Sequence, residues 1–295
     1  MSQNATPPVY RRSSGHFIRH LVVIVVVLAV AIIGINVIHN SSTATPSVKL
    51  TAQTKWSATP RIVTGALSSV PSSVFNTIGV KSTKVLVTGL SSLGVKPPST
   101  QKTSTKTLPE VLYVGADYCP FCAAERWPIV VALSRFGTFT NLGDTTSGAK
   151  DIFPNTQTLT FAKSKYKSKY ITFASVEEFT NTPNKAGTGY KPLQKMTPSE
   201  SKLFQRYDGT TGSIPFVLFG NRFFLSGASY SPSALAGLTR TQIAVHLGNS
   251  TLAVTQAIIA SANYQVAAIC SLTHQQPAKV CDAKGTKAAD KKLGI

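Results

Sequence analysis

Hydrophobic residues are concentrated near the N-terminus of this chain, where residues 21–38 form one apolar run. These eighteen residues carry no charge, and Asn36 is their one strongly polar side chain. At a rise of about 1.5 Å per residue, a helix of this length just crosses a bilayer core of about 30 Å. The run has no polar face, which argues against a buried helix of a soluble core. The pattern therefore predicts a transmembrane helix.

Basic residues flank this predicted helix on one side only. Arg11, Arg12 and Arg19 precede it, and the next lysine or arginine is Lys49. Positive charge marks the cytoplasmic side of a membrane helix. We therefore expect a cell-membrane protein with a cytoplasmic tail at 1–20 and all later residues outside the cytoplasm. A cleaved signal peptide is the alternative, although its apolar region is normally only about 7–15 residues long.

The chain changes character after the predicted anchor. Residues 39–60 are rich in Ser, Thr and Pro, which is typical of a flexible tether. Further along, the pattern predicts a short helix over 66–78, interrupted by Pro71, and a short strand at 85–87. We interpret residues 39–107 as a linker and pre-domain segment.

The clearest chemical motif is a Cys-x-x-Cys between a predicted strand and a predicted helix. The strand covers residues 110–115, and Cys119-Pro-Phe-Cys122 opens a helical run that continues to about Phe136. Pro120 suits the first turn of a helix, so Cys119 comes at the helix N-terminus, where free N–H groups favour a thiolate. Cys122 lies one turn later on the same face. Thiol–disulfide exchange needs this arrangement: one thiolate attacks a disulfide and the second thiol resolves the intermediate.

Other functions remain open for the Cys-x-x-Cys. It also suits a structural disulfide, or half of a metal site such as a copper-delivery module, in which His246 or His274 would have to supply further ligands. A redox-inert interaction domain is a third possibility. The chain contains four cysteines, and thiols outside the cytoplasm tend to be paired. Cys270 and Cys281 lie close together in sequence, so we expect a structural disulfide between them, with a second redox pair as the alternative.

A proline-led hairpin is the second feature that bears on the fold. Pro215 precedes two apolar strands joined at Gly220-Asn221, a dipeptide that suits a hairpin turn. Between the Cys-x-x-Cys and this hairpin, the pattern predicts strands at 138–142, 159–161 and 170–176. Thr197-Pro-Ser-Glu200 is a capping box that begins a helix.

Over residues 108–272 the chain resembles the thioredoxin superfamily, because it has a strand, a Cys-x-x-Cys at the start of a helix and a hairpin that follows Ile-Pro. The chain is most similar to membrane-anchored thioredoxin-like proteins of prokaryotes that carry Cys-Pro-Phe-Cys and a late second cysteine pair. The resemblance implies an α/β, thioredoxin-like fold over 108–295, with an insertion at about 143–211 and a disulfide-tied C-terminal tail. It also implies protein thiol or disulfide clients, a separate redox partner and no cofactor.

The resemblance assigns roles to individual residues of this chain. Cys119 is the expected nucleophile and Cys122 the resolving thiol. Pro215 is the expected cis-proline facing them, and the Ile214 backbone is expected to pair with substrate. Tyr118 stands where an aromatic residue commonly precedes the first cysteine.

The chain departs from thioredoxins at Tyr113, which occupies a strand position where they carry a buried acid. Asp117 and Glu125 are nearby candidates for the proton-transfer role of that acid, but we expect both to be solvated.

Charge and motif content exclude several other functions. The net charge of +19 arises from 30 Lys and Arg against 11 Asp and Glu, yet charged residues make up only 14% of the chain. The imbalance reflects scarce acids more than a dense basic surface, and no nucleic-acid-binding module is recognisable. The chain also lacks a phosphate-binding loop, a dinucleotide fingerprint and a nucleophile elbow. We therefore expect no nucleic acid and no metal.

Overall fold

A five-stranded mixed sheet lies at the centre of the computed structural model, which describes residues 50–95, 108–208 and 212–295. The strands are β1 (Ser57–Ala58), β2 (Ser91–Ser92), β3 (Glu110–Gly115), β4 (Gly137–Thr140), β5 (Gly143–Thr146), β6 (Gln157–Thr160), β7 (Lys165–Ser168), β8 (Thr172–Glu177), β9 (Phe179–Pro183), β10 (Tyr190–Pro192), β11 (Phe216–Phe219) and β12 (Phe223–Ser226). The central sheet has the order β2-β12-β11-β3-β8. Strands β3 and β8 pair in parallel, and the other neighbours pair antiparallel.

Helices cover both faces of this sheet. They are α1 (Arg61–Ser68), α2 (Ser72–Ile78), α3 (Pro120–Leu133), α4 (Pro198–Asp208), α5 (Arg240–His246), α6 (Ala253–Leu272), α7 (Ala278–Cys281) and α8 (Lys284–Leu293), with a 3₁₀ turn at Pro232–Leu235. Side chains of a strand alternate between faces. Val111 and Tyr113 therefore join the core formed with α3 and α6, whereas Leu112 and Val114 pack with Phe204 of α4 on the other face.

The last long helix, α6, is the most apolar one among the described residues. By length and composition it is apolar enough to cross a membrane, but 89% of its most apolar window is buried within the protein. It packs against α3 and α8 as a core helix. It begins at Ala253, and in the turn before it the Asn249 side chain accepts the Thr251 N–H at 3.0 Å.

Residues 50–95 fold onto the same unit as the later chain, so the folded region begins well before residue 108. Helix α1 contacts α5, and α2 contacts α6 and α8. The Asn263 amide on α6 donates to the carbonyl oxygens of Phe75 (3.1 Å) and Gly79 (2.7 Å) at the end of α2. The predicted strand at 85–87 is wrong, because these residues have irregular backbone and the strand in this region is β2.

The predicted insertion contains more strands than its sequence pattern suggests. Within it, β5 and β6 form an antiparallel sheet with β1, and β9 pairs antiparallel with β10. Strand β7 pairs antiparallel with β4, and both β1 and β4 precede the insertion. The third predicted strand, near 170–176, is β8 of the central sheet. Helix α4 begins at Pro198 with the expected capping box, since Thr197 N donates to Glu200 Oε2 at 2.6 Å and Glu200 N donates to Thr197 Oγ1 at 3.3 Å.

The predicted cytoplasmic tail at 1–20, the predicted anchor at 21–38 and the linker residues 39–49 lie outside the described residues. So do 96–107 in the predicted connection before β3.

Candidate active site

The two cysteines of the Cys-x-x-Cys lie at the start of α3, immediately after the central strand β3. Cys119 is the N-cap of α3, and Pro120 is its first residue. The Cys122 backbone N–H donates to Cys119 Sγ at 3.2 Å, so the sulfur takes the position that a capping oxygen normally occupies. The free N–H groups of the first helical turn therefore stabilise negative charge on Cys119.

The two thiols are free and differ in environment. The Cys119 residue is 6% exposed to solvent, whereas Cys122 is completely buried. A hydrogen bond from the Cys122 thiol is the main cause that lowers the pKa of Cys119, and the positive charge of Arg126 acts in the same direction. Burial raises the pKa of Cys122 well above its ordinary value. The more accessible sulfur is therefore also the better thiolate, as expected of an attacking cysteine.

Pro215 lies across from Cys119 in a cis peptide bond with Ile214. The Cys119 thiol donates to the Ile214 carbonyl oxygen with a separation of 3.7 Å between sulfur and oxygen. Strand β11 begins at the next residue and pairs with β3, which fixes this turn beside the start of α3. The fold thus brings together two segments that are 95 residues apart in sequence.

Four aromatic side chains pack in pairs next to the Cys-x-x-Cys: Tyr118 and Phe121 belong to the motif region, Tyr190 to β10 and Phe153 to the segment between β5 and β6. Tyr118 stacks on Tyr190 with ring centroids 4.2 Å apart and planes within 3°. Phe121, between the two cysteines, is 41% exposed and meets Phe153 edge-on at 6.0 Å. Ile152, which precedes Phe153 in the sequence, is 71% exposed. We call these four aromatic residues, together with Ile152, the aromatic rim. The sequence indicated Tyr118 but neither Phe153 nor Tyr190.

A buried charge cluster lies beneath the dithiol. Arg126, one turn after Cys122 on α3, is completely buried and donates to both carboxylate oxygens of Glu177 at 2.9 and 2.6 Å. A second carboxylate, Asp117, lies 3.7 Å from the same guanidinium. The sequence signal for Arg126 was available, because Glu125 and Arg126 are the only charged residues in an otherwise apolar helix.

The expectation that Asp117 and Glu125 are solvated is wrong. Asp117 is 8% exposed and Glu125 is completely buried. Burial raises the pKa of Asp117 to about 7, and the negative charge of Glu177 adds to this effect. Burial also raises the pKa of Glu125 to about 8, although that carboxylate accepts hydrogen bonds from Ser229 and Gln265.

Tyr113 lies on β3, next to the dithiol helix in the core. The ring is completely buried, and the Arg126 guanidinium lies 5.9 Å from its centroid. Its hydroxyl has no hydrogen-bond partner in the described part of the chain. A Cβ atom at Gly115 would overlap this hydroxyl and lie 2.6 Å from Tyr113 Cζ, so the glycine makes room for the tyrosine.

The remaining two cysteines, Cys270 and Cys281, form a disulfide with Cα atoms 5.6 Å apart. It joins the end of α6 to α7, and both residues are completely buried. Across residues 50–95, 108–208 and 212–295, no group of three or more His, Cys, Asp and Glu side chains is arranged to hold a metal ion.

The described fold and site define a mixed α/β protein with a dithiol at a helix N-terminus beside a cis-proline turn. Residues 97–271 match the family described as a domain of unknown function, DUF929, and this match covers more than half of the 295-residue chain. The chain therefore belongs to that family. Cys119, Cys122, Pro215 and Cys270 lie within the matched residues, whereas Cys281 lies beyond them. No curated protein and no solved structure matches the chain.

Proposed function

We propose that the protein is a thiol–disulfide oxidoreductase with a thioredoxin-like fold. The observation that carries this proposal is the position of Cys119, which caps α3 and lies 3.7 Å from the carbonyl oxygen of Ile214, the residue before cis-Pro215. A client chain that runs alongside Ile214 would present its own sulfur to Cys119. A purely structural disulfide needs neither two free cysteines at a helix N-terminus nor a proline turn beside them.

The chemistry follows from the difference between the two thiols. The Cys119 thiolate attacks one sulfur of a client disulfide, so that a mixed disulfide forms and the first client thiolate leaves. Cys122 then loses its proton to a leaving thiolate and attacks the Cys119 sulfur. The second client thiolate leaves, two electrons have passed to the client, and Cys119 and Cys122 are joined as a disulfide. The same steps in reverse oxidise a client dithiol.

The buried cluster supports this chemistry electrostatically. Cys122 is completely buried, so its thiolate is costly to form without a nearby positive charge. Arg126 supplies that charge, and its influence lowers the pKa values of both cysteines. In this proposal Arg126 stabilises the thiolates by its positive charge and does not itself donate or accept a proton.

The aromatic rim is the part of the site that we assign to client binding. Phe121, within the motif, and Ile152 are strongly exposed, and Tyr118, which precedes Cys119, stacks on Tyr190. Exposed apolar side chains next to a reactive thiol suit protein clients whose cysteines lie in apolar segments.

We also propose that residues 21–38 anchor the protein in the membrane, with the dithiol domain outside the cytoplasm. There the dithiol would serve protein clients, and a second redox protein would restore it after each turnover. No cysteine lies within residues 21–38, so the anchor itself cannot relay thiol electrons.

The proposal is tested by a redox titration of the full-length protein in detergent. The protein is equilibrated in glutathione buffers, free thiols are alkylated, and each cysteine is quantified by mass spectrometry. We expect Cys119 and Cys122 to titrate together between about −120 and −270 mV, the range of catalytic dithiols. We expect Cys270 and Cys281 to remain oxidised over this range.

Variants separate the chemistry from the fold. Cys119→Ser should abolish reduction of a disulfide-bonded peptide, whereas Cys122→Ser should trap a mixed disulfide with it. The matched control is the double variant Cys270→Ser, Cys281→Ser. This variant should retain exchange activity at a temperature where it remains folded. A Cys-x-x-Cys that resists reduction throughout the titration, or full activity in Cys119→Ser, would overturn the proposal.

A further inference from the structure

A cavity lies at the end of α3 opposite to the dithiol. Its volume is about 170 Å³, and its wall is formed by residues of α1, α2, α7 and the end of α3. Leu67, Phe75 and Val131 form its apolar floor, and the Ser68 and Ser72 residues lie at its exposed edge. Helix α3 has 14 residues, so at about 1.5 Å per residue roughly 20 Å separate this cavity from Cys119.

One charged residue, Arg135, lies in the cavity wall. Its guanidinium carbon is 4.0 Å from the centroid of the Phe75 ring. Its Nε atom is buried and has no hydrogen-bond partner, and no described carboxylate forms an ion pair with it. Burial lowers the pKa of Arg135 to about 10, and no acid opposes this effect.

The Nε atom of Arg135 is buried without a hydrogen-bond partner in the described part of the chain, and an acceptor placed beside it would complete its environment. Buried arginines are normally paired, because the cost of removing the charge from water is otherwise uncompensated. The negative end of the α3 dipole favours a cation at this position. The buried Nε of Arg135 has no hydrogen-bond partner among the described residues and is available to a ligand.

The shape and chemistry of the cavity define the ligand class. A guanidinium binds a carboxylate through two parallel hydrogen bonds. The Leu67, Phe75 and Val131 side chains then require an apolar body attached to that carboxylate. A cavity of about 150 Å³ with apolar walls holds a benzene ring, so a volume of about 170 Å³ accommodates a body of that size.

We propose that this cavity binds a small monocarboxylate with an aromatic or branched aliphatic body, with its carboxylate on Arg135. The proposal is independent of the dithiol chemistry, because none of the cavity residues takes part in that site. The Val280 side chain also lines the cavity, next to the disulfide-bonded Cys281 that holds α7 in place.

Isothermal titration of the full-length protein with sodium benzoate tests this site. We expect saturable binding of one benzoate per chain. Benzyl alcohol has a similar body without the charge, and phosphate has the charge without the body, so both should bind at least tenfold more weakly. Arg135→Gln should weaken benzoate binding at least tenfold, and Arg135→Lys should lie between Gln and wild type.

A plugging variant locates the site without removing the arginine. Ser68 lines the cavity and is exposed, so Ser68→Trp should fill the mouth and abolish benzoate binding. Ser69 is exposed but does not line the cavity, and Ser69→Trp is the matched control that should bind benzoate normally. Absence of saturable benzoate binding to the wild type, or equal binding by wild type, Arg135→Gln and Ser68→Trp, would overturn the proposal.

Discussion

Replacement of Glu177 by Gln tests the buried ion pair beneath the dithiol. Glu177 accepts both bonds from Arg126, and its Oε1 also accepts the Phe161 N–H at 3.2 Å. Both side chains are completely buried, so water cannot replace the lost charge. Gln retains an acceptor for Phe161 but removes the negative charge that balances the guanidinium.

The expected cost follows from burial. Removing one partner of a buried ion pair typically destabilises a protein by about 3–5 kcal/mol, because the other charge is left uncompensated. For a folded unit of this size, 1 kcal/mol corresponds to roughly 2–4 °C in melting temperature. Glu177→Gln should therefore lower the melting temperature by roughly 6–20 °C. Arg126→Met added to Glu177→Gln removes the stranded charge and should recover stability to within about 2 kcal/mol of wild type.

Denaturant unfolding followed by circular dichroism measures these differences. Wild type, Glu177→Gln, Arg126→Met and the double variant form a double-mutant cycle. The surface pair of Lys287 and Asp282 is the control; Asp282 is two-thirds exposed, and Asp282→Asn should cost less than about 1 kcal/mol. A loss below 1 kcal/mol in Glu177→Gln, or losses that simply add in the double variant, would refute the argument that the pair is a coupled buried unit.

Three further predictions concern other parts of the fold. Gly115→Ala should destabilise the protein by about 1–3 kcal/mol, because its Cβ would overlap Tyr113. Gly65→Ala in α1 meets no atom within 4 Å and should stabilise the protein by up to about 1 kcal/mol. Thermal unfolding measures the direction of both changes. The raised pKa of Asp117, about 7, means that the folded state binds its proton more tightly than the unfolded state. The contribution of Asp117 to the free energy of unfolding is therefore complete below about pH 4 and is lost as the pH rises through 7, by at most about 1.4 kcal/mol per pH unit. Asp117→Asn should flatten this part of the plot of unfolding free energy against pH. Removal of the Cys270–Cys281 disulfide, which closes a loop with a sequence separation of 11, should cost about 3 kcal/mol in denaturant unfolding and leave the midpoint potential of Cys119 and Cys122 unchanged.

Local sequence was sufficient to predict the start of α3 and the two thiols on it. The motif depends on a strand, a proline at the first helical position and a spacing of three residues, all of which are read within about fifteen residues. The capping box at Thr197 and the hairpin after Pro215 are equally local, and both occur as expected. By contrast, the short strands β5, β7, β9 and β10 depend on pairing across the insertion, and their sequences show little apolar alternation.

The buried charges could not be predicted from local pattern, because their partners are distant in sequence. Arg126 and Glu177 are 51 residues apart, and Glu125 accepts bonds from residues 104 and 140 positions away. Carboxylates are usually exposed, so a single sequence favours solvated Asp117 and Glu125 even though both are buried. The unusual observation in the sequence is an adjacent Glu and Arg inside an apolar helix, which already requires partners from elsewhere.

The buried cluster also links the protonation of Asp117 to the reactivity of Cys119. With Asp117 protonated, Arg126 and Glu177 balance each other, and the N-terminus of α3 favours the Cys119 thiolate without opposition. Ionised Asp117 adds a negative charge 3.7 Å from the guanidinium and reduces the influence of Arg126 on the dithiol. A dithiol whose thiolate form is stabilised is a stronger oxidant, because its reduced state is favoured. We therefore expect that a neutral Asn at 117 shifts the midpoint potential of Cys119 and Cys122 towards the oxidising end.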